Sequence, residues 1–296
     1  MGILIVKCEK EEKLIQKLLN KRCGNNKNNS WHLSDDPCSY YKSHNNKCSY
    51  HKKNNKEIHY KKLDSKDQYF VAKKWLNFLL EEDRKLTSFY ILGINLTNLN
   101  YKFFGDTYGD ERYNTIYNRF FRSSVQKSVK SYFSNYDKII INEIIHDDAS
   151  IKNNKYFPWH SIRYLNNEDK KITFNNKDII FKDSDHRKSN DIRSNLLQYI
   201  DLILGLIYNC LHYSSSQDEK EELSMKMYDL VEGLLYRPSN KNSHYKYINR
   251  FSIDFFPKYK LKNPNTLEGQ QKRKNSYFKK REIRIKRKKQ PTLIEI

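Results

Sequence analysis

No run of about 18 consecutive apolar residues occurs in the 296-residue chain, so no membrane-spanning helix is expected. The opening Gly2-Ile3-Leu4-Ile5-Val6 is apolar but short, and Lys7 follows at once. It lacks the long apolar core and cleavage site of a signal peptide. Cysteines are few: five, an odd number, four of them before residue 50. That excludes a regular disulfide framework and points to a reduced, cytoplasmic protein. Acid is also scarce. Asp and Glu total 35 against 56 Lys and Arg, a formal net charge of +21. Such an excess predicts a polyanionic partner, with nucleic acid first among them. Lysine supplies most of the charge, 42 against 14 arginines. Coding bias toward AT-rich codons would supply lysine too, so a structural or partner-binding protein stays open as a reading.

Hydrophobic residues make up 37% of the chain and include 23 tyrosines, consistent with one folded core and polar loops. Residues 2–7 read as a buried strand. Residues 9–22 read as a helix with Leu14, Ile15, Leu18 and Leu19 on one face. Residues 24–56 form a polar insertion holding a tandem repeat, Cys38-Ser39-Tyr40-Tyr41-Lys42 and Cys48-Ser49-Tyr50-His51-Lys52. Within it Cys38, His44, Cys48 and His51 are zinc-type ligands, although their spacing fits no standard finger and duplication alone would generate it. A helix capped by Asp64 runs to about residue 84, with a stripe of Val71, Trp75, Phe78 and Leu79. Further strands are expected at 87–96, 137–145, 171–174, 178–181 and 250–256, and helices at 111–134, 190–213 and 217–236. Tyr113, Tyr117, Phe120 and Phe121 are read as core. The alternation of strands and helices gives an α/β layered fold.

Asp201 interrupts an apolar helix, with Gln198 three positions earlier on the same face. A carboxylate there is costly unless paired, hydrogen-bonded or metal-bound. It is either a ligand or base at a cleft, or a structural acid at a polar edge. Asp183-Ser184-Asp185 follows a predicted strand, and the carboxyl ends of strands are where α/β folds place ligands.

Three places make the chain similar to the DUF3800 family. Glu57-Ile58-His59 resembles its E-I-H element, and Asp183-Ser184 followed by Leu197-Gln198-Tyr199-Ile200-Asp201-Leu202 resembles its D-S and Q-L-A-D-L elements. The late segment Phe251–Pro257 also fits. The resemblance covers roughly residues 2–260. It implies an RNase H-like mixed sheet flanked by helices over residues 1–262, and a metal-dependent nuclease or nuclease-derived protein. Glu57, Asp183 and Asp201 would hold Mg²⁺ or Mn²⁺. Gln198, with His59 and Asn142, would support them. Asn142 stands where the strand at 137–145 should carry an acid, and Glu143 could replace it only by a bulge or shift of register. The D-E-S-G strand with which family members open has no counterpart here. A catalytically impaired nucleic-acid-binding protein of the same fold is therefore the alternative.

Residues 263–296 read as a flexible basic tail. Within residues 272–289, Lys272, Arg273, Lys274, Lys279, Lys280, Arg281, Arg284, Lys286, Arg287, Lys288 and Lys289 are opposed only by Glu282. Such an arm would add salt-dependent, sequence-independent affinity for nucleic acid.

Overall fold

The computed structural model describes residues 1–23, 54–83, 86–104, 108–147, 171–175, 179–212, 215, 217–235 and 250–257. Cys38, His44, Cys48, His51 and the basic tail lie outside the described residues.

Contacts divide the chain into two units, one of Met1–Leu92 with Tyr101–Asp254 and one of Gly93–Asn100 with Phe255–Ile296. In the smaller unit, the described residues are the ends of two strands, a turn of 3₁₀ helix at Leu96–Asn98, and Pro257. There the Asn95 N–H donates to Phe256 O at 2.9 Å.

The larger unit is α/β. Strand β1 (Gly2–Val6) pairs antiparallel with β2 (Thr87–Ile94), Gly2 opposite Ile91 and Val6 opposite Thr87. Strand β7 (Phe251–Phe256) joins the other side of β2, and Phe89 and Phe251 stack with ring centroids 4.3 Å apart. The region expected as one strand at 137–145 is two: β3 (Ile139–Ile141) and β4 (Ile144–Asp147). Strand β3 pairs parallel with β5 (Ile172–Phe174), and β4 pairs parallel with β6 (Ile179–Lys182).

Helix α3 (Gly109–Tyr132) covers these parallel pairs. Its Phe121, Val125 and Val129 recur every fourth position, forming one helical face. They pack with Ile172, Phe174 and Ile179, with Tyr117 at the edge. Tyr113, expected in this core, is instead 57% exposed.

Helix α1 (Cys8–Lys21) buries Leu14, Ile15, Leu18 and Leu19, as its periodicity predicts. Helix α2 (Lys66–Asn77) starts at a Ser65 cap, whose hydroxyl accepts from Gln68 N at 3.3 Å; Asp64, the expected cap, lies one residue too early. A π turn (Phe78–Glu82) extends it. The short α4 (His186–Ser189) and the long α5 (Ser194–His212) follow β6, and α6 (Asp218–Leu235) packs against α5. The buried face of α5 carries Gln198, Tyr199, Leu202, Ile203, Leu206 and Ile207. Tyr208 of the same helix is 53% exposed.

Candidate functional site

One face of α5 presents Gln198, Asp201 and Gly205, spaced i, i+3 and i+7, to the extended segment Glu57–Tyr60. Gln198 Oε1 accepts from Ile58 N at 2.8 Å, and Asp201 Oδ2 accepts from Tyr60 N at 2.8 Å. Alternate N–H groups of an extended chain point the same way, so the helix side chains stand in for a neighbouring strand. Gly205 completes the seat. A Cβ there would lie 2.0 Å from Cγ of Tyr60, so only glycine lets that ring rest on the helix. On the other side, Gln68 Nε2 donates to Glu57 O at 2.7 Å.

Gln198 is the hub. Its Oε1 also accepts from Arg22 Nη2 at 2.5 Å, and its Nε2 donates to Ser184 O at 2.6 Å and to His186 Nδ1 at 3.1 Å. Both donors and both acceptor positions of the amide are thus used. Arg22 is fully buried. Its other nitrogens donate to Asn195 Oδ1 at 2.9 Å, Asn54 O at 3.1 Å and Lys56 O at 2.9 Å. Its guanidinium carbon lies 4.8 Å from the centre of the Trp75 ring. Burial, reinforced by the nearby Arg22 charge, pushes the His186 pKa down to about 3. Neutral His186 accepts at Nδ1 and donates from Nε2 to Asn55 Oδ1 at 2.6 Å.

This scaffold brings Glu57 to the carboxyl ends of β4 and β6. The Ser184 hydroxyl donates to Glu57 Oε1 at 2.7 Å. Asp147, the last residue of β4 and opposite Lys182 in the register, joins them. Its pKa is raised, first because surrounding protein displaces water from a side chain that still reaches solvent; Glu57 adds repulsion. The nearby Ser184 hydroxyl and N–H and the His146 ring oppose the rise without cancelling it. No Lys or Arg among the described residues is paired with Glu57 or Asp147. Beside Asp147, His146 Nε2 lies 2.8 Å from the Tyr117 hydroxyl, and burial lowers the His146 pKa.

The other expected residues lie elsewhere. Asp201 is occupied by Tyr60 N, with His59 Nδ1 3.3 Å from the same oxygen. Asp183 Oδ1 accepts from Asp185 N at 2.9 Å, closing its own turn, and Lys188 Nζ is 4.0 Å from Oδ2. Glu143 is exposed and pairs with Arg193 at 2.8 Å. Asn142 donates to Cys8 Sγ at 3.0 Å and accepts from Asn175 at 2.9 Å. Both sit at the break between β3 and β4, so neither a bulge nor a register shift carries Glu143 inward. Among the described residues, no group of three or more His, Cys, Asp or Glu side chains is arranged to hold a metal ion. The expected trio of Glu57, Asp183 and Asp201 is therefore not assembled as one ligand set. The pair Glu57 and Asp147 does suit Mg²⁺ or Mn²⁺, which take hard oxygen donors and are often held by one or two carboxylates plus substrate phosphate.

Sequence reasoning missed Asp147, Arg22 and the role of Gly205. The signal for Asp147 was present, because it follows a strand just as Asp183 does. Among the described residues no helix is long and apolar enough to cross a membrane. Comparisons with protein-family models, curated proteins and solved structures found no match for the chain.

Proposed function

We propose that this chain acts on nucleic acid as a phosphodiester hydrolase of RNase H-like descent, with Glu57 and Asp147 as its carboxylate pair. The observation that carries this reading is the meeting of two carboxylates and one hydroxyl at the ends of parallel strands, with no Lys or Arg paired to either acid among the described residues. Structural carboxylates are normally given a partner, so two left facing one another suggest a site kept for a cation or a proton. The resemblance of Glu57-Ile58-His59 and Gln198-x-x-Asp201 to DUF3800 elements supports the same reading, as does the net charge of +21.

Glu57 and Asp147 would hold Mg²⁺ or Mn²⁺, which when bound would offset phosphate charge and polarise the phosphorus–oxygen bond. Ser184 orients Glu57, and Gln198 with Asp201 fixes the backbone that delivers it. His59 and Asp201 act as positioning residues.

The test is cleavage of labelled single- and double-stranded DNA and RNA with Mg²⁺ or Mn²⁺. Wild type should cleave at least one substrate, and Glu57→Gln and Asp147→Asn should lower the rate by about a hundredfold or more. Absence of cleavage by folded protein would remove the enzymatic reading.

A second reading, an impaired nucleic-acid-binding protein, is favoured by one observation: Asp183 and Asp201 each already accept a backbone N–H. It predicts salt-dependent binding, no cleavage, and no change of affinity in Asp147→Asn.

A further inference from the structure

Most large rings among the described residues are packed, yet Phe103, Tyr108 and Tyr113 are 72%, 75% and 57% exposed within eleven positions of sequence. They flank a 3₁₀ turn, Tyr101–Phe104, and the start of α3. Arginines are set among them. The guanidinium carbon of Arg112 lies 5.0 Å from the centre of the Tyr101 ring and 4.9 Å from that of Tyr108. That of Arg119 lies 5.4 Å from the Phe104 ring, and Arg119 also donates to Phe103 O, tying turn to helix.

We infer that this surface binds single-stranded nucleic acid, with bases stacked on the exposed rings and phosphates met by the arginines. The choice of ligand rests on the proposed action on nucleic acid; the site itself rests on separate residues. Three observations favour it over a protein partner. The surface is aromatic and cationic, and its residues 101–104 and 108–113 include no Leu, Ile, Val or Met. Helix α3 carries five basic residues (Arg112, Arg119, Arg122, Lys127, Lys130) against two acids, Asp110 and Glu111, both in its first turn. Its first three basic residues are arginine in a chain where lysine is three times as frequent, 42 against 14. Guanidinium is the cation that stacks on rings while its in-plane N–H groups pair with phosphate. A single strand is implied because duplex bases present no free faces. Stacking on an aromatic side chain is worth about 1–3 kcal/mol per base.

The test is fluorescence anisotropy in EDTA, with an oligothymidine of about fifteen nucleotides and a duplex of equal length. The full chain is compared with Phe103→Ala/Tyr108→Ala and Tyr108→Phe, each checked by thermal melting. Losing two stacks should weaken oligothymidine binding by about 30-fold or more. Duplex affinity should stay within about twofold, since phosphate contacts supply it. Tyr108→Phe keeps a ring and should bind as wild type. Unchanged oligothymidine binding by the double variant would overturn this surface while leaving the nucleic-acid reading intact. Failure of wild type to bind either probe would overturn both. Loss of self-association in the double variant, without loss of oligothymidine binding, would reassign the surface to protein and overturn the inference.

Discussion

Two acidic centres in this protein are built on opposite principles. At the end of the π turn, the Asp83 side chain is fully buried and every need is met. Its Oδ1 accepts from Leu86 N at 2.9 Å and Thr87 N at 3.2 Å, and its Oδ2 accepts from the Thr87 hydroxyl. Arg250 reaches Oδ1 at 3.1 Å and also holds Asp83 O and Thr87 O. At the other centre, Glu57 and Asp147 repel one another with Ser184 between them. The first arrangement fastens a turn to β7. The second spends stability, which a fold tolerates where chemistry or binding returns it.

Breaking the first centre should have the largest effect. Asp83→Ala strands a buried guanidinium, and Arg250→Ala strands a buried carboxylate. Each should lower unfolding free energy by about 3–5 kcal/mol in urea titrations. A loss below about 1 kcal/mol would show that the pair is not structural.

Gln198→Leu should come next, at about 3 kcal/mol by the same measurement, because Arg22 and Ile58 N lose their shared acceptor. It should also abolish cleavage by releasing the segment that carries Glu57.

The third effect is one of pH. His186 has a folded pKa of about 3, below its ordinary value of 6.5. The unfolded chain thus binds the proton more readily, and stability falls as pH drops below about 6.5. Between pH 6.5 and 5 the loss attributable to His186 should be about 2 kcal/mol. Urea titrations across that range should show a shallower slope in His186→Gln.

The smallest effect distinguishes the centres most sharply. The folded-state pKa of Asp147 is raised, so its charge costs stability above the ordinary carboxylate range, and that cost disappears as pH falls through it. Asp147→Asn should leave stability unchanged or raise it by about 0.5 kcal/mol at neutral pH, since solvent screens much of the repulsion. A destabilisation comparable to that of Asp83→Ala would make Asp147 a structural acid too.

Much of this architecture was legible in sequence. The spacing of Leu14, Ile15, Leu18 and Leu19 gave the buried face of α1, and the alternation of elements gave the α/β class. The pairing of Glu57-Ile58-His59 with Gln198-x-x-Asp201 named two segments that do meet. What the pattern could not say was how they meet. An acid in an apolar helix is served equally well by a metal, a backbone N–H or solvent at a polar edge, and here Asp201 takes Tyr60 N with its side chain 39% exposed. Asp147 was missed because three isoleucines suggested one strand ending at 145, whereas the chain breaks at Asn142-Glu143 and resumes. Tyr113 and Tyr208 fit a helical apolar stripe by spacing but face solvent, because a stripe records hydrophobicity and not the neighbours that cover it.

The most direct test is Mn²⁺ binding, followed by calorimetry on wild type, Glu57→Gln, Asp147→Asn and Asp201→Asn. Asn at 201 keeps an oxygen for Tyr60 N and so spares the scaffold. If Glu57 and Asp147 form the centre, both of their variants lose binding by tenfold or more, about 1.4 kcal/mol, while Asp201→Asn binds as wild type. Equal binding by wild type and Asp147→Asn, with loss in Asp201→Asn, would contradict this account and move the centre to the helix.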